Sequence, residues 1–207
     1  MAVYKIFPLQ DATMYSFYPT MNTGIDPIIE VGNLNVNINP VPQVFRYLVE
    51  FDQTEIENVI DNKVGGTQFS SSLRCFIANA QGVIFDTELE IYPVSGSWNN
   101  GSGTYLDSPF TTNGCSWKNQ TFEGGQEWAT SNFQPYVTAS FSGSGTAGGG
   151  TWYTGSSDPN NTNLEVTQSF TLRSQKDLNA PVTDIVKVWY SSSKSIGGHT
   201  NIQNNGF

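Results

Sequence analysis

The sequence predicts an all-β protein built from short strands and many turns. The 207 residues include 21 Ser, 20 Thr, 20 Asn and 20 Gly, and only 13% of the chain is charged while another 13% is aromatic. Ser, Asn and Gly form turns, whereas Thr and aromatic residues suit the pleated surface of a sheet. Several short segments also alternate between apolar and polar residues. The length suits a single β-sandwich domain, 1–207.

The clearest strand signal lies at 45–51. Phe45, Tyr47, Val49 and Phe51 recur there with a period of two, so they share one face of a strand. Weaker alternation or short apolar runs predict further strands at 3–7, 12–17, 28–31, 71–80, 85–94 and 164–172.

Two short helices interrupt this pattern. Thr54 and Glu57 have the spacing of a capping box, which predicts a helix from Thr54 as N-cap to about Ile60. Val182 begins a second apolar stripe with helical spacing that ends at Trp189, and Pro181 precedes it.

The segment 95–150 is rich in Gly, Asn and Ser, yet it contains several Trp residues. A flexible linker would not carry so many large rings. We therefore predict long ordered loops that buried aromatic side chains hold in place.

Composition excludes several functional classes. The formal net charge of −9 argues against a nucleic-acid groove, and no apolar run reaches the length of a membrane span. His199 is the single histidine, so a zinc site built on histidines is excluded. Glu88 and Glu90 share one side of a predicted strand, which is typical of a solvated face rather than of a catalytic pair. We expect no enzymatic activity and no bound cofactor beyond a possible structural calcium ion.

Cys75 and Cys115 are too few for a disulfide scaffold. One bridge between them stays possible, but two reduced thiols are the favoured interpretation. The N-terminus lacks the charged and apolar regions of a signal peptide.

The order of several short motifs along nearly the whole chain resembles a known domain type. The motifs are Asp11-Ala12-Thr13-Met14-Tyr15-Ser16, Asn22-Thr23-Gly24, Glu30-Val31-Gly32-Asn33, 46–52, Ile91-Tyr92-Pro93-Val94, Trp98 with Gly101-Ser102-Gly103, Ser116-Trp117, 182–189 and Asn205-Gly206-Phe207. Together they resemble the DNRLRE type of carbohydrate-binding-module-like domain. The resemblance implies an antiparallel two-sheet jelly-roll β-sandwich with two short helices and long loops.

Within that domain type, the first 33 residues and the segment 148–154 resemble virion structural proteins of tailed phages, particularly marine phages of cyanobacteria. This resemblance implies a location in the virion and contacts with other virion proteins and with copies of the chain itself. The alternative is a carbohydrate-binding module that recognises a glycan of the host surface. In the domain type, Gly-Phe opens another strand. We therefore expect that the last strand is missing from 1–207, and that a longer polypeptide or a neighbouring chain supplies it.

Four aromatic residues in the loops are candidates for contact with a ligand or another subunit. They are Trp98, Trp117, Trp152 and Tyr153. Exposed rings could stack on sugars or on a partner protein, whereas buried rings would only pack the loops. Trp152 follows three glycines and is the strongest candidate for an exposed ring.

Three acidic residues are weak candidates for a structural Ca²⁺ site. Asp11, Asp26 and Glu30 offer carboxylate oxygens, which Ca²⁺ prefers, although their spacing matches no known calcium loop. Ordinary turn capping explains them equally well.

Overall fold

The computed structural model describes residues 3–34, 43–66, 68–78, 87–128, 148–153, 164–171, 177–195 and 202–207. The strands are β1 Pro8–Tyr15, β2 Gly32–Leu34, β3 Gln43–Phe51, β4 Ser72–Cys75, β5 Thr87–Ile91, β6 Val166–Phe170 and β7 Leu178–Pro181. The helices are α1 Gln53–Val59, which continues into a π-helical turn Ile60–Val64, and α2 Thr183–Ser193.

All of these strands pair antiparallel and form three small sheets. The largest has the order β1-β3-β2, and the others are the pairs β4-β7 and β5-β6. Strand is therefore the main regular structure, accompanied by two helices, as the sequence predicts for an all-β protein. Within the described residues the sheets are small, and they do not trace the two large sheets of a jelly roll.

Strand β3 separates two hydrophobic cores. Its alternation places Val49 in the first core and Leu48 in the second, because neighbouring side chains point to opposite faces of a strand. The first core is built largely by α1, α2 and the two small sheets, and it surrounds Ile185 and Trp189. The second core packs Ala12 and Met14 of β1 against Trp98, Trp117 and Trp128 of the long loops.

The segment 202–207 is hydrogen-bonded to strand β3 of the central sheet. Phe207 exchanges two backbone hydrogen bonds with Val49, at 2.8 and 3.0 Å, while Val94 donates from its backbone N to the Gly206 carbonyl at 2.8 Å. The Phe207 ring packs 4.8 Å from that of Trp189, measured between centroids. The segment thus joins β3, the loop at 93–95 and helix α2.

The alternation at 3–7 does not form a strand. Val3 and Phe7 are 79% and 75% exposed, and β1 begins instead at Pro8, opposite Phe51. Similarly, the short strand predicted at 28–31 lies slightly later, at Gly32–Leu34. Alternation identified apolar segments here, but the residues that form strands are those that hydrogen-bond to β3.

The first helix begins earlier than predicted. Its N-cap is Asp52 rather than Thr54, and the Asp52 Oδ1 atom accepts a 2.8 Å hydrogen bond from the Thr54 backbone N. Glu57 accepts from the Gln53 side chain at 3.0 Å and pairs with Lys194 of α2 at 3.0 Å. Both Asp and Thr can cap a helix. Asp52 does so because β3 ends at the residue before it.

Cys75 and Cys115 are free thiols, as the favoured interpretation expected. Cys75 borders the first core and Cys115 lies in the second, so the central sheet separates them. Burial raises the pKa of the Cys115 thiol to about 12. Among the described residues, no helix combines the length and apolar character needed to cross a bilayer.

Candidate functional site

The long loops are held by buried rings, as predicted. Trp98 is 6% exposed, Trp117 is 4% and Tyr153 is 8%, so these three candidates pack inside the chain. Trp98 donates from Nε1 to the Asn205 carbonyl at 2.8 Å, and Trp128 donates to the Ser116 carbonyl at 2.9 Å. Their rings stabilise the loops that carry them, and any partner contact would use the outer surface of those loops.

Trp152 is half-buried and stacks against a cation of the same chain. The Arg46 guanidinium carbon lies 4.9 Å from the Trp152 ring centroid and 5.2 Å from that of Trp117. Arg46 also donates to the Gly149 carbonyl at 2.9 Å. Desolvation lowers the pKa of Arg46 to about 10. The three glycines before Trp152 let the backbone approach Trp117 closely, since a Cβ at Gly149 would lie 2.7 Å from that ring.

Asn22 connects the segment that follows β1 to the loops at 100–115. Its buried side chain donates from Nδ2 to the carbonyls of Asn100 and Cys115, at 2.6 and 2.8 Å, and accepts at Oδ1 from the Gly103 N at 2.8 Å. A Cβ at Gly101 would lie 2.5 Å from the Asn22 Oδ1 atom. The two motifs Asn22-Thr23-Gly24 and Gly101-Ser102-Gly103, which are distant in sequence, thus form one rigid junction.

A cleft opens beside this junction, on the face of the central sheet opposite Arg46. We call it the aromatic cleft; it has a volume of 440 Å³, and its aromatic and acidic lining residues are Tyr15, Phe17, Asp26, Glu30, Phe45 and Tyr105. Pro27, Ile28 and Leu106 complete the lining. The rings of Phe45 and Tyr105 lie 5.8 and 5.2 Å from that of Tyr15, between centroids.

The ring network continues from the cleft onto the surface. Phe17 contacts Tyr18, which in turn lies 5.0 Å from Phe110 and 6.2 Å from Tyr105 between ring centroids. Three exposed apolar residues line the cleft, and three more lie on the loops that form it. We define these six residues as the loop patch: Ile28, Tyr105 and Leu106 of the lining, with Tyr18, Ile25 and Phe110. Leu106 is 88% exposed and is the most prominent of them.

Hydrogen bonds fix the shape of the loop patch. Asp107 accepts from the Thr104 backbone N at 3.0 Å and from the hydroxyls of Thr104 and Thr111 at 2.8 and 2.5 Å. These bonds hold the pKa of Asp107 below its usual range. Asp26 accepts from the Tyr105 backbone N at 3.1 Å, which connects the two sides of the cleft mouth.

The cleft is electrostatically negative. Glu30 accepts a 2.7 Å hydrogen bond from the Tyr15 hydroxyl, and burial together with Glu30 raises the pKa of Tyr15 far above its ordinary value. Desolvation raises the pKa of Asp26, and the charges of Glu30 and Asp107 add to that increase. The described residues that line the cleft include no lysine or arginine. Within the described part of the chain, neither carboxylate has an ion-pair partner.

The structure brings together two of the three predicted calcium ligands. Asp26 and Glu30 line the cleft, whereas Asp11 lies four residues before Tyr15 on β1, about 13 Å along the strand. The described residues contain no group of three or more acidic, Cys or His side chains placed to hold a metal ion. The calcium site stays a prediction without a complete ligand set.

Sequence reasoning did not identify the aromatic part of the cleft. Tyr15, Phe17, Phe45 and Tyr105 come from three separate segments, and no spacing in the sequence relates them. One usable signal was the acidic pair Asp26 and Glu30 in a turn-rich stretch next to Tyr18.

No protein-family model, curated protein or solved structure matches this chain. The resemblance to the DNRLRE type and to phage structural proteins therefore stays a prediction from the sequence.

Proposed function

We propose that this chain is a non-enzymatic structural protein of a phage particle, which holds a neighbouring subunit through its loop patch. The observation that carries the proposal is the loop patch itself: six exposed apolar side chains on loops that buried residues fix in place. Contiguous exposed apolar surface marks protein interfaces, and aromatic residues are enriched at their centres.

Rigidity supports the same proposal. The Asn22 junction and the bonds of Asp107 position the patch before any partner arrives. A preordered surface loses less conformational entropy on binding than a mobile one. The low proportion of charged residues, 13%, also suits an interface, because desolvating a charge is costly.

The finer assignment of the fold belongs to this proposal. We propose a jelly-roll β-sandwich as the complete architecture, supported by the antiparallel pairing of every described strand. The contact role of the loops around Trp98, Trp117 and Trp152 also stays part of the proposal. Copies of this chain and other virion proteins are the proposed partners.

A carbohydrate-binding module is the second candidate function. The aromatic cleft favours it, because ring faces beside carboxylates are a common way to hold sugars. In that case the protein would bind glycans of the host surface and would be dispensable for assembly of the particle.

The decisive experiment measures incorporation of a patch variant into virions. Leu106→Glu places a charge at the most exposed point of the patch, where the side chain contributes little to the fold. Phe76→Glu is the matched control, because Phe76 is 75% exposed and lies outside the patch. Quantitative mass spectrometry of purified virions should show loss of the Leu106→Glu protein and normal amounts of the Phe76→Glu protein.

Two outcomes would contradict the structural role. The wild-type chain could be absent from purified virions, or the Leu106→Glu protein could be incorporated as well as the wild type. Normal incorporation combined with loss of adsorption to host cells would favour the carbohydrate-binding alternative.

A further inference from the structure

We infer that the aromatic cleft accepts a single lysine or arginine side chain of a neighbouring subunit with a different sequence. This inference rests on the proposed structural function and names the chemistry of the partner. Its basis is that four aromatic side chains and two carboxylates line one cleft of 440 Å³.

The walls suit an organic cation. Tyr105, which is 41% exposed, has the most accessible ring of the cleft, whereas Tyr15 is only 3% exposed and packs against Tyr105 and Phe45 at 5.2 and 5.8 Å between ring centroids. The faces of aromatic rings attract ammonium and guanidinium groups through their quadrupoles. The apolar stem of such a side chain can also pack on Ile28 and Leu106, which line the same cleft.

Among the described residues, neither carboxylate of the cleft has a positive partner. Asp26 and Glu30 have hydrogen bonds from Tyr105 and Tyr15, but those donors are neutral. Partial burial disfavours the charged form of Asp26 and raises its pKa, whereas Glu30 is exposed. A bound cation would relieve this cost through charge-assisted hydrogen bonds.

The hydrogen-bonding capacity that remains in the cleft favours a cation over a sugar. The Tyr15 hydroxyl donates to Glu30, so the polar side-chain groups left in the cleft are the Tyr105 hydroxyl and carboxylate oxygens, which only accept. A sugar hydroxyl donates to such oxygens as a neutral group, whereas a lysine or arginine side chain donates to them and also offsets their charge. The cleft therefore matches a ligand that donates and carries positive charge.

Charge complementarity favours a basic protein over a second copy of this chain as the occupant of the cleft. Each copy carries a formal net charge of −9, so a more basic subunit is attracted more strongly to the acidic cleft. A basic segment of another subunit is attracted by the same field. The occupant is thus a basic side chain of a different protein.

The test is a titration of the isolated protein followed by two-dimensional NMR of backbone amides. The probes are N-acetyl-arginine methylamide and N-acetyl-lysine methylamide, with N-acetyl-glutamine methylamide as the neutral probe and methyl glucoside as the sugar probe. We expect the two cationic probes to shift amides around Tyr105, Leu106 and Ile28, with a Kd on the order of millimolar. Raising NaCl to about 0.5 M should weaken binding several-fold.

Two double variants make the test specific. Asp26→Asn with Glu30→Gln removes both charges from the cleft but keeps oxygen acceptors for Tyr105 and Tyr15. It should weaken binding about tenfold. Glu88→Gln with Glu123→Gln removes the same charge from exposed positions elsewhere and should leave the Kd within about twofold.

The inference is overturned if the cationic probes cause no shifts in the cleft, if the neutral probe or the sugar binds equally well, or if both double variants weaken binding alike. The two proposals fail in different experiments. If the cationic probes do not bind but the Leu106→Glu protein is lost from virions, only the cation site is wrong. If the cationic probes bind but the chain is absent from virions, only the structural function is wrong.

Discussion

At the level of a single residue, Asn22 joins separate loops through buried hydrogen bonds. Its fully buried amide connects the segment after β1 to the loops that carry Asn100, Gly103 and Cys115, through two carbonyls and one backbone N–H. Asn22→Ala would leave these groups unpaired in the interior. We expect a loss of about 3 kcal/mol in the free energy of unfolding, measured by urea denaturation.

An exposed asparagine provides the control for that measurement. Asn58 on α1 only accepts a hydrogen bond from Asn62 at the surface, so Asn58→Ala should change the stability by less than about 0.5 kcal/mol. If the two variants were equally stable, the junction would not be the support of the loops. The Asn22 amide also explains why the loop patch keeps its shape without regular secondary structure.

At the level of elements, the segment 202–207 acts as a strand between β3 and the loop at 93–95. Gly206 makes this possible because its φ is +86° and a Cβ there would overlap the Val49 backbone. Gly206→Ala should therefore detach Phe207 from Trp189 and Phe51. We expect a loss of at least about 2 kcal/mol, measured by thermal and urea unfolding.

The expected loss at Gly206 has two causes, the left-handed backbone and the steric overlap with Val49, and Gly124 has only the first of them. Its φ is +81°, but nothing lies within 4 Å of a Cβ built there. Gly124→Ala should lower the free energy of unfolding only by the cost of a left-handed backbone at a non-glycine residue, about 1 kcal/mol. Equal losses in both variants would mean that packing of 202–207 against β3 contributes little.

The elements that sequence reasoning predicted well are those that local pattern determines. The alternation at 45–51 identified β3, because Tyr47, Val49 and Phe51 lie on one face of the strand and pack in or against the first core. Pro181 and the stripe ending at Trp189 identified α2. The error at 3–7 has a physical cause: alternation reports that a segment could pair, but only contact with β3 selects residues from Pro8 onward.

The candidate site was less predictable for a related reason. Trp residues in glycine-rich loops could be exposed platforms or buried supports, and sequence does not reveal which side of a loop faces the second core. The aromatic cleft depends on contacts between Tyr15, Phe45 and Tyr105, which only the folded chain creates. The acidic residues were identified, but as calcium ligands, because their aromatic neighbours could not be seen in the sequence.

At the scale of the whole molecule, the balance of charge predicts how stability depends on pH. The net charge of −9 makes the folded chain repel itself at pH 7. Desolvation raises the pKa of three half-buried carboxyl groups, namely Asp11, Asp26 and Glu50. A carboxyl whose folded pKa exceeds its unfolded value binds a proton more tightly in the folded state. It therefore adds stability as the pH falls through the raised pKa toward the ordinary value of about 4.

Hydrogen-bonded surface carboxyls act in the opposite direction. Hydrogen bonds from their partners lower the pKa values of Glu57, Asp61 and Asp107. The stability that these three groups contribute is therefore lost as the pH falls below the ordinary pKa of a carboxyl group. As the pH is lowered from about 7 to about 5 at low salt, we thus expect the melting temperature to increase. It should decrease again in stronger acid. Asp11→Asn with Glu50→Gln should flatten the rise, whereas Glu88→Gln with Glu123→Gln, which removes the same charge from exposed sites, should preserve more of it. Scanning calorimetry across this pH range measures the melting temperature. A melting temperature that increases steadily from about pH 5 to pH 8 would contradict the prediction, because it would show that burial of these carboxyl groups does not limit stability.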